Sequence, residues 1–344
     1  MKDNDGVLAL LQDVKDILYG IALLLTGGLL CVAGILLGGF AILLSAIGFF
    51  VLLAGLNNAY QGYHHHTVEE KQDLTEVPMP FETHEQNGLV FLTSPLLSGV
   101  RHAFSTRKGG VSVPPWDSLN LGPSRGDDPA AVAENYRRFC GAVGLDEKRV
   151  VLSKQVHETT VRVCTAYDAG KGLWRERGYT ADALITNEPE LPLVVFSADC
   201  GILLLHDPVT GSVGAVHAGW RGCAGGIVEK AVAAMASEYG AKPANILAAI
   251  GPCIGPCCFE TDSDVPDAMR AALGADAEPY IQWEAPKYHV DLAGLNRQWL
   301  TRAGVLPERI DTCGLCTACR PDLFWSHRKM GNARGVQVAV IVRP

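Results

Sequence analysis

Basic residues are too few here to grip a polyanion. Lys and Arg number 29 against 37 Asp and Glu, for a net charge of −8. That balance excludes a broad electrostatic hold on nucleic acid and leaves small anions and nucleosides open as ligands. The GxxxxGK[ST] spacing of a phosphate-binding P-loop is absent. The 11 cysteines are odd in number and irregularly spaced, so they cannot pair completely. Thiols in a reducing compartment are the better reading. No Cys–His pattern repeats along the chain in the way a set of copper sites would require.

Charge is missing altogether from Ile17–Leu56, a run of forty residues. About 20 apolar residues cross a bilayer once, so the run is long enough for two helices, expected at about 17–36 and 40–56 with a turn near Gly38-Gly39. A cleaved secretory signal fits poorly, because the run is too long, its leading segment is acidic and no clear cleavage site follows. Residues 1–60 are therefore expected to form a membrane hairpin, 61–86 a polar linker and 87–344 a soluble domain. The reduced thiols place that domain in the cytoplasm of a membrane-anchored protein.

Beyond residue 87, short apolar runs alternate with helical spacings. Val150–Leu152, Thr160–Val163, Leu193–Phe196, Ser212–Val216, Ile246–Ile250 and Val336–Val342 predict strands. Asp128-Pro129 opens a helix that Gly144 ends, and further helices are expected at about 224–239, 263–273 and 292–303. Several strands follow one another without regular βαβ alternation. The fold class read from this pattern is α/β, with mixed sheets between helix layers.

The chemistry concentrates in Ser197–Gly222, SADCGILLLHDPVTGSVGAVHAGWRG, where reactive side chains stand at strand ends. Cys and His are the preferred ligands of zinc and copper, and Cys200 and His217 are the first candidates. His157, in the run Lys154-Gln155-Val156-His157, is the best third ligand. Three protein ligands would leave a fourth position open, as in catalytic sites. His206 competes for that place but reads better as a turn residue or a group behind the ligands. On the residues alone, a buried cysteine with two core histidines remains an equal alternative. The cluster Cys313-x2-Cys316-x2-Cys319 lacks a second CxxC and reads better as a local loop; Cys253, Cys257 and Cys258 could complete a zinc or iron–sulfur site only if folding brings them near.

Arginines are placed to hold an anion. Arg107 lies in the loop Ser105-Thr106-Arg107-Lys108-Gly109-Gly110, and Arg221 sits at the amino end of an expected helix. Arg328 follows Phe324, Trp325 and His327, which could stack a base or simply fill the core. Asp199, beside Cys200, could tune a ligand or act as base.

Together SADC, HAGWRG, KQVH, GPCIGPCCFE at 251–260 and LFWSHR at 323–328 resemble the multicopper polyphenol oxidase (laccase-like) family, also described as peptidoglycan-editing factors or purine nucleoside phosphorylases. The resemblance spans about residues 89–344. It implies a layered sandwich of mixed sheets and a metal site of His157, Cys200 and His217, loaded with zinc or with copper. It also implies phosphorolysis of purine nucleosides, with adenosine deamination and methylthioadenosine cleavage as related activities. Its partners would be purine nucleosides and phosphate, with the membrane engaged through the hairpin and nucleic acid not engaged. The rival readings are a copper-dependent phenol oxidase, a hydrolase with Cys200 as nucleophile and His217 as base that edits peptidoglycan precursors, and a membrane-tethered scaffold without activity.

Overall fold

The computed structural model describes residues 81–344, in which the apolar runs become the strands of three sheets. In chain order the first strands are β1 (Glu82–Gln86), β2 (Leu89–Thr93), β3 (Arg101–Ser105), β4 (Val151–Leu152) and β5 (Val161–Val163). Next come β6 (Ala183–Thr186), β7 (Leu193–Ser197), β8 (Gly201–His206), β9 (Val213–Ala218) and β10 (Leu247–Ile250). Last are β11 (Glu260–Thr261), β12 (Ile281–Glu284), β13 (Lys287–Val290), β14 (Ile310–Thr312) and β15 (Gln337–Val342).

One six-stranded sheet runs β1-β2-β3-β15-β7-β4 and the other β14-β10-β8-β9-β6-β5. Both are mixed: β4 with β7, β5 with β6 and β10 with β14 pair in parallel, and the remaining ladders are antiparallel. A small antiparallel sheet, β11-β13-β12, stands apart from them.

Alternation along each strand builds the layers, because successive side chains point to opposite faces. Ile202 and Leu204 pack with Leu193, Val195, Ala339 and Ile341 between the two large sheets. Leu203 and Leu205 face the other way, onto the helices Ile227–Tyr239, Asp264–Leu273 and Leu292–Arg302. On the far side of the first sheet, Val194, Val338 and Val340 meet Val132, Tyr136 and Phe139 of the helix Pro129–Val143. The order is therefore helix, sheet, sheet, helices. Strands covered on both faces read as unbroken apolar runs, which explains GILLL and VAVIV.

The helix at Pro129–Val143 carries the expected ends, with the Asp128 carboxylate accepting from the Ala130 amide and Gly144 closing it at φ 75°. The single helix expected over 224–239 is instead two, Trp220–Ala224 and Ile227–Tyr239. They are separated at Gly226, whose φ of 72° is left-handed and whose missing Cβ leaves room for Trp299. β1 lies inside the stretch read as linker and pairs along its length with β2.

The expectations of a transmembrane hairpin and of membrane anchoring are corrected: among the described residues no helix is long and apolar enough to cross a membrane. The runs 17–36 and 40–56 that carried those expectations lie outside the described residues.

Candidate active site

Strand ends deliver the central motif to one end of the second sheet. β8 and β9 form a hairpin in which Gly201 pairs with Ala218 and Ile202 with His217, so Cys200 and His217 meet at the same end. β6 lies beside β9, with Ala183 opposite Val216, and brings Asp182 to that end as well. His157 enters from the loop between β4 and β5. The ligand atoms of His157, Cys200 and His217 all lie within 4.8 Å of one another. Cys200 Sγ is 3.8 Å from His157 Nε2, and the two imidazole rings meet edge to face with centroids 4.9 Å apart.

Asp182, which sequence reasoning passed over, organises this trio. Its carboxylate is fully buried and accepts His217 Nδ1 at 2.9 Å. It also accepts the backbone amides of Val156, His157 and Glu158 at 3.2, 3.0 and 3.1 Å. One carboxylate thus turns the His217 ring and fastens the loop that carries His157. That loop needs fastening, because His157 has a left-handed φ of 62°, a conformation costly for a residue with a Cβ. The signal in the sequence was an acid opening the buried strand Ala183–Thr186, since a buried carboxylate demands partners.

Electrostatics follow from this packing. Burial opposes charge on the Asp182 carboxyl, yet hydrogen bonds from His217 and the loop amides hold it below its usual range. Burial alone would raise the Cys200 thiol, but the His217 charge and the His157 hydrogen bond bring it down to about 6. Burial likewise works against protonated His217, which the Cys200 thiolate and then Asp182 hold up to about 9. Gly219 completes the fit: a Cβ there would stand 3.0 Å from Cys200 Sγ and 3.0 Å from His157 Cδ2. Two imidazoles and a thiolate at this spacing suit a zinc ion, whose bonds of about 2.0–2.3 Å can bridge them.

The trio lies at a cavity of about 450 Å³. Its walls carry Lys154, Gln155, Phe196 and His327 along with Arg125, Arg177 and Arg334. Each of these arginines precedes a glycine, at Arg125-Gly126, Arg177-Gly178 and Arg334-Gly335. Arg177 is steadied by Ser153 O and Ser124 Oγ at 3.1 Å each, and Arg125 by Asn332 O at 3.0 Å. Arg334 has a buried Nε without a hydrogen-bond partner. Burial, then the neighbouring Arg125, lowers its guanidinium to about 10.

Apart from His327, the other sequence candidates do not line this cavity. Arg107 donates to Asp117 O and Pro321 O at 2.7 and 2.8 Å and lies 4.0 Å over the Trp325 ring. Arg221 is exposed and covers Trp220 at 4.1 Å. The Arg328 side chain donates to the carbonyls of Cys258 and Glu260 at 2.9 Å each. Asp199 is buried, with its carboxylate accepting Thr317 Oγ1 and the Arg328 amide at 2.7 Å each. With both oxygens engaged and a φ of 91°, it anchors the turn before Cys200. Phe324 and Trp325 are fully buried core, whereas His327 reaches the cavity. His206 stands at the opposite end of β8 from Cys200, buried, its Nδ1 at 3.3 Å from Ser212 O.

Known proteins resemble this chain in sequence and in fold over most of its length. The family described as multi-copper polyphenol oxidoreductase laccase matches residues 101–344. The purine nucleoside phosphorylase YlmD of Geobacillus stearothermophilus is 35% identical over 262 residues, covering 75% of this chain and 96% of that protein. The purine nucleoside phosphorylase YfiH of Shigella flexneri is 40% identical over 235 residues, covering 68% and 90%. The crystal structure of YlmD from Geobacillus stearothermophilus superposes with a TM-score of 0.73 at 34% identity, covering 77% of this chain and 99% of that one.

Proposed function

The chain belongs to the multi-copper polyphenol oxidoreductase laccase family, and from that premise we propose that it is a metal-dependent purine nucleoside phosphorylase acting on adenosine, inosine or guanosine. The observation that carries this reading is the cavity, where three arginines converge beside a His2Cys trio. Its volume falls in the range of small-molecule sites. Three guanidinium groups beside the trio suit an anionic co-substrate such as phosphate.

Phosphorolysis forms a bond from a phosphate oxygen to ribose C1′ and breaks the bond from C1′ to the purine nitrogen. The electron pair leaves on the purine, which takes up a proton. Arg125, Arg177 and Arg334 hold the phosphate dianion. Phe196 offers the base an apolar wall, and Lys154 and His327 are the lining groups able to pass a proton to it. Asp182 fixes the trio, keeping His217 Nε2 and Cys200 Sγ aimed at one point. A zinc ion held by His157, Cys200 and His217 would supply Lewis acidity to an oxygen in the cavity. Copper would be taken when offered, so its binding alone would not make the protein an oxidase.

Chromatography of products from metal-defined protein and adenosine, with and without phosphate, tests the reading. Adenine with ribose-1-phosphate, formed only when phosphate is present, is the expected result. Inosine alone would make the site a deaminase, and absence of nucleoside turnover would return the hydrolase reading. The same assay with methylthioadenosine decides whether that substrate is shared.

A further inference from the structure

A second cluster of donors lies outside the cavity and outside the reading above. β10 and β14 are parallel neighbours, so the loops that follow them leave the sheet side by side. The first loop turns tightly at Gly255, whose carbonyl accepts the amides of Cys258 and Phe259 at 3.0 and 2.9 Å. The second turns over Cys316–Arg320, with the Arg320 amide donating to Cys316 O at 3.2 Å. Between them, the Thr317 amide donates to Cys253 O at 3.0 Å.

These two turns aim four sulfurs at one point. The Sγ atoms of Cys257, Cys258, Cys316 and Cys319 all lie within 4.8 Å of one another. Cys319 Sγ is 3.4 Å from Cys257 Sγ and 3.5 Å from Cys258 Sγ. A disulfide needs about 2.05 Å, so no pair here is bonded. Four thiolates around one zinc at bonds of about 2.3 Å would stand slightly under 4 Å apart, close to what is seen. Clusters of several irons would spread the sulfurs further.

Two details point the same way. The Gly255 amide donates to Cys316 Sγ at 3.2 Å, an arrangement that favours sulfur as thiolate. Gly255 is also where the turns come closest, since a Cβ there would meet Cys316 Cβ at 3.3 Å and Cys257 Sγ at 3.4 Å.

We propose that Cys257, Cys258, Cys316 and Cys319 bind one zinc ion in a closed four-thiolate site that clamps the loop after β10 to the loop after β14. The clamp has a beneficiary. Ile254, on the first loop, donates its amide to Asp199 O at 2.8 Å, and Thr317, on the second, donates its hydroxyl to Asp199 Oδ1 at 2.7 Å. Asp199 precedes Cys200, so the zinc would hold the turn that positions a member of the trio.

The test is zinc content of the full chain by elemental analysis, with protein purified under reducing conditions. The His157→Ala/His217→Ala chain is expected to keep about one zinc, and adding Cys257→Ser/Cys319→Ser to it should remove that zinc. Cobalt loaded into the His157→Ala/His217→Ala chain should give the intense thiolate charge-transfer and visible bands of a tetrahedral four-sulfur site, a reading that needs no cysteine variant to fold. A folded His157→Ala/His217→Ala chain without zinc, or one that gives no such cobalt bands, overturns the proposal. Iron in place of zinc, or zinc content unmoved by the cysteine changes, overturns it as well. Loss of zinc only with the cysteine changes, and none with the histidine changes, would sustain the clamp and sink the trio.

Discussion

His157, Cys200 and His217 meet beside a cavity, whereas Cys257, Cys258, Cys316 and Cys319 meet on two surface turns. Both join segments far apart in sequence, but the trio leans on a buried carboxylate, while the cluster rests on two short turns held by backbone amides. Donor count separates the roles: three ligands leave a position for a reacting group, and four leave none. Soft donors alone therefore do not mark a catalytic site. On the proposed reading, what marks one here is the open side and the arginines that line it.

The largest contrast should be in turnover. Cys200→Ser is expected to lower nucleoside cleavage roughly 10³-fold or more, as several kcal/mol of Lewis-acid stabilisation disappears. Cys319→Ser should cost the folded enzyme less than the ~10-fold typical of a group behind the ligands, while lowering its melting temperature. Steady-state rates on both variants, normalised to folded protein, decide it; equal losses would erase the distinction between the two sites.

Next is the anion wall. Arg334→Lys gives up a planar fork for a point charge and should weaken phosphate use about 10- to 150-fold, matching roughly 1.5–3 kcal/mol for a charge-assisted contact. Arg221→Lys, at an exposed side chain stacked on Trp220, should change phosphate use less than about twofold. The phosphate KM of each is the measurement, and the reverse order would move the anion site to the helix start at Trp220.

Asp182→Asn comes third. It keeps the shape but loses the charge that orients His217 and receives three loop amides. Zinc affinity of the trio should fall about 10- to 100-fold, measured by chelator competition on the Cys257→Ser/Cys319→Ser background. No change would mean that the loop amides alone hold His157 in place.

The fold was legible wherever a single segment determined its own structure. The helix Pro129–Val143 could be read from Asp128, Pro129 and Gly144, and the strands from apolar runs bounded by turn residues. The break at Gly225-Gly226 was hidden because only the packing of Trp299 against Gly226 reveals what that glycine is for. In the site, the motifs announced Cys200 and His217. Arg125, Arg177 and Arg334 lie on three separate loops, and the one local sign they share, a following glycine, is too common to read alone. Arg107 and Arg328 seemed better placed by sequence, yet neither lines the cavity beside the trio. Convergence of distant loops is a property of the fold, and no window of sequence contains it.

The smallest effect, and the one that separates the two donor sets most directly, is the number of protons each gives up to zinc. In the trio Cys200 is brought down to about 6 and His217 held up to about 9, so between those values the pair is thiolate and imidazolium. A raised imidazole stays protonated until the pH passes its folded value, and a depressed thiol stays ionised until the pH falls through its own. At about pH 7.5 zinc must therefore expel one proton, from His217, and affinity should fall about tenfold per pH unit from 9 down to 6, more steeply below as Cys200 is protonated too. In the cluster, burial and then the neighbouring sulfurs push Cys258 up to about 11 and Cys257 higher still. Zinc must expel a proton from each, at least about two in all, so the slope should be about a hundredfold per unit or more. Calorimetric titration in buffers of different ionisation enthalpy counts these protons, using the Cys257→Ser/Cys319→Ser chain for the trio and the His157→Ala/His217→Ala chain for the cluster. Equal counts would mean that Cys200 is an ordinary protonated thiol until metal arrives, and that the trio's charges are not set in advance by Asp182 and the two imidazoles.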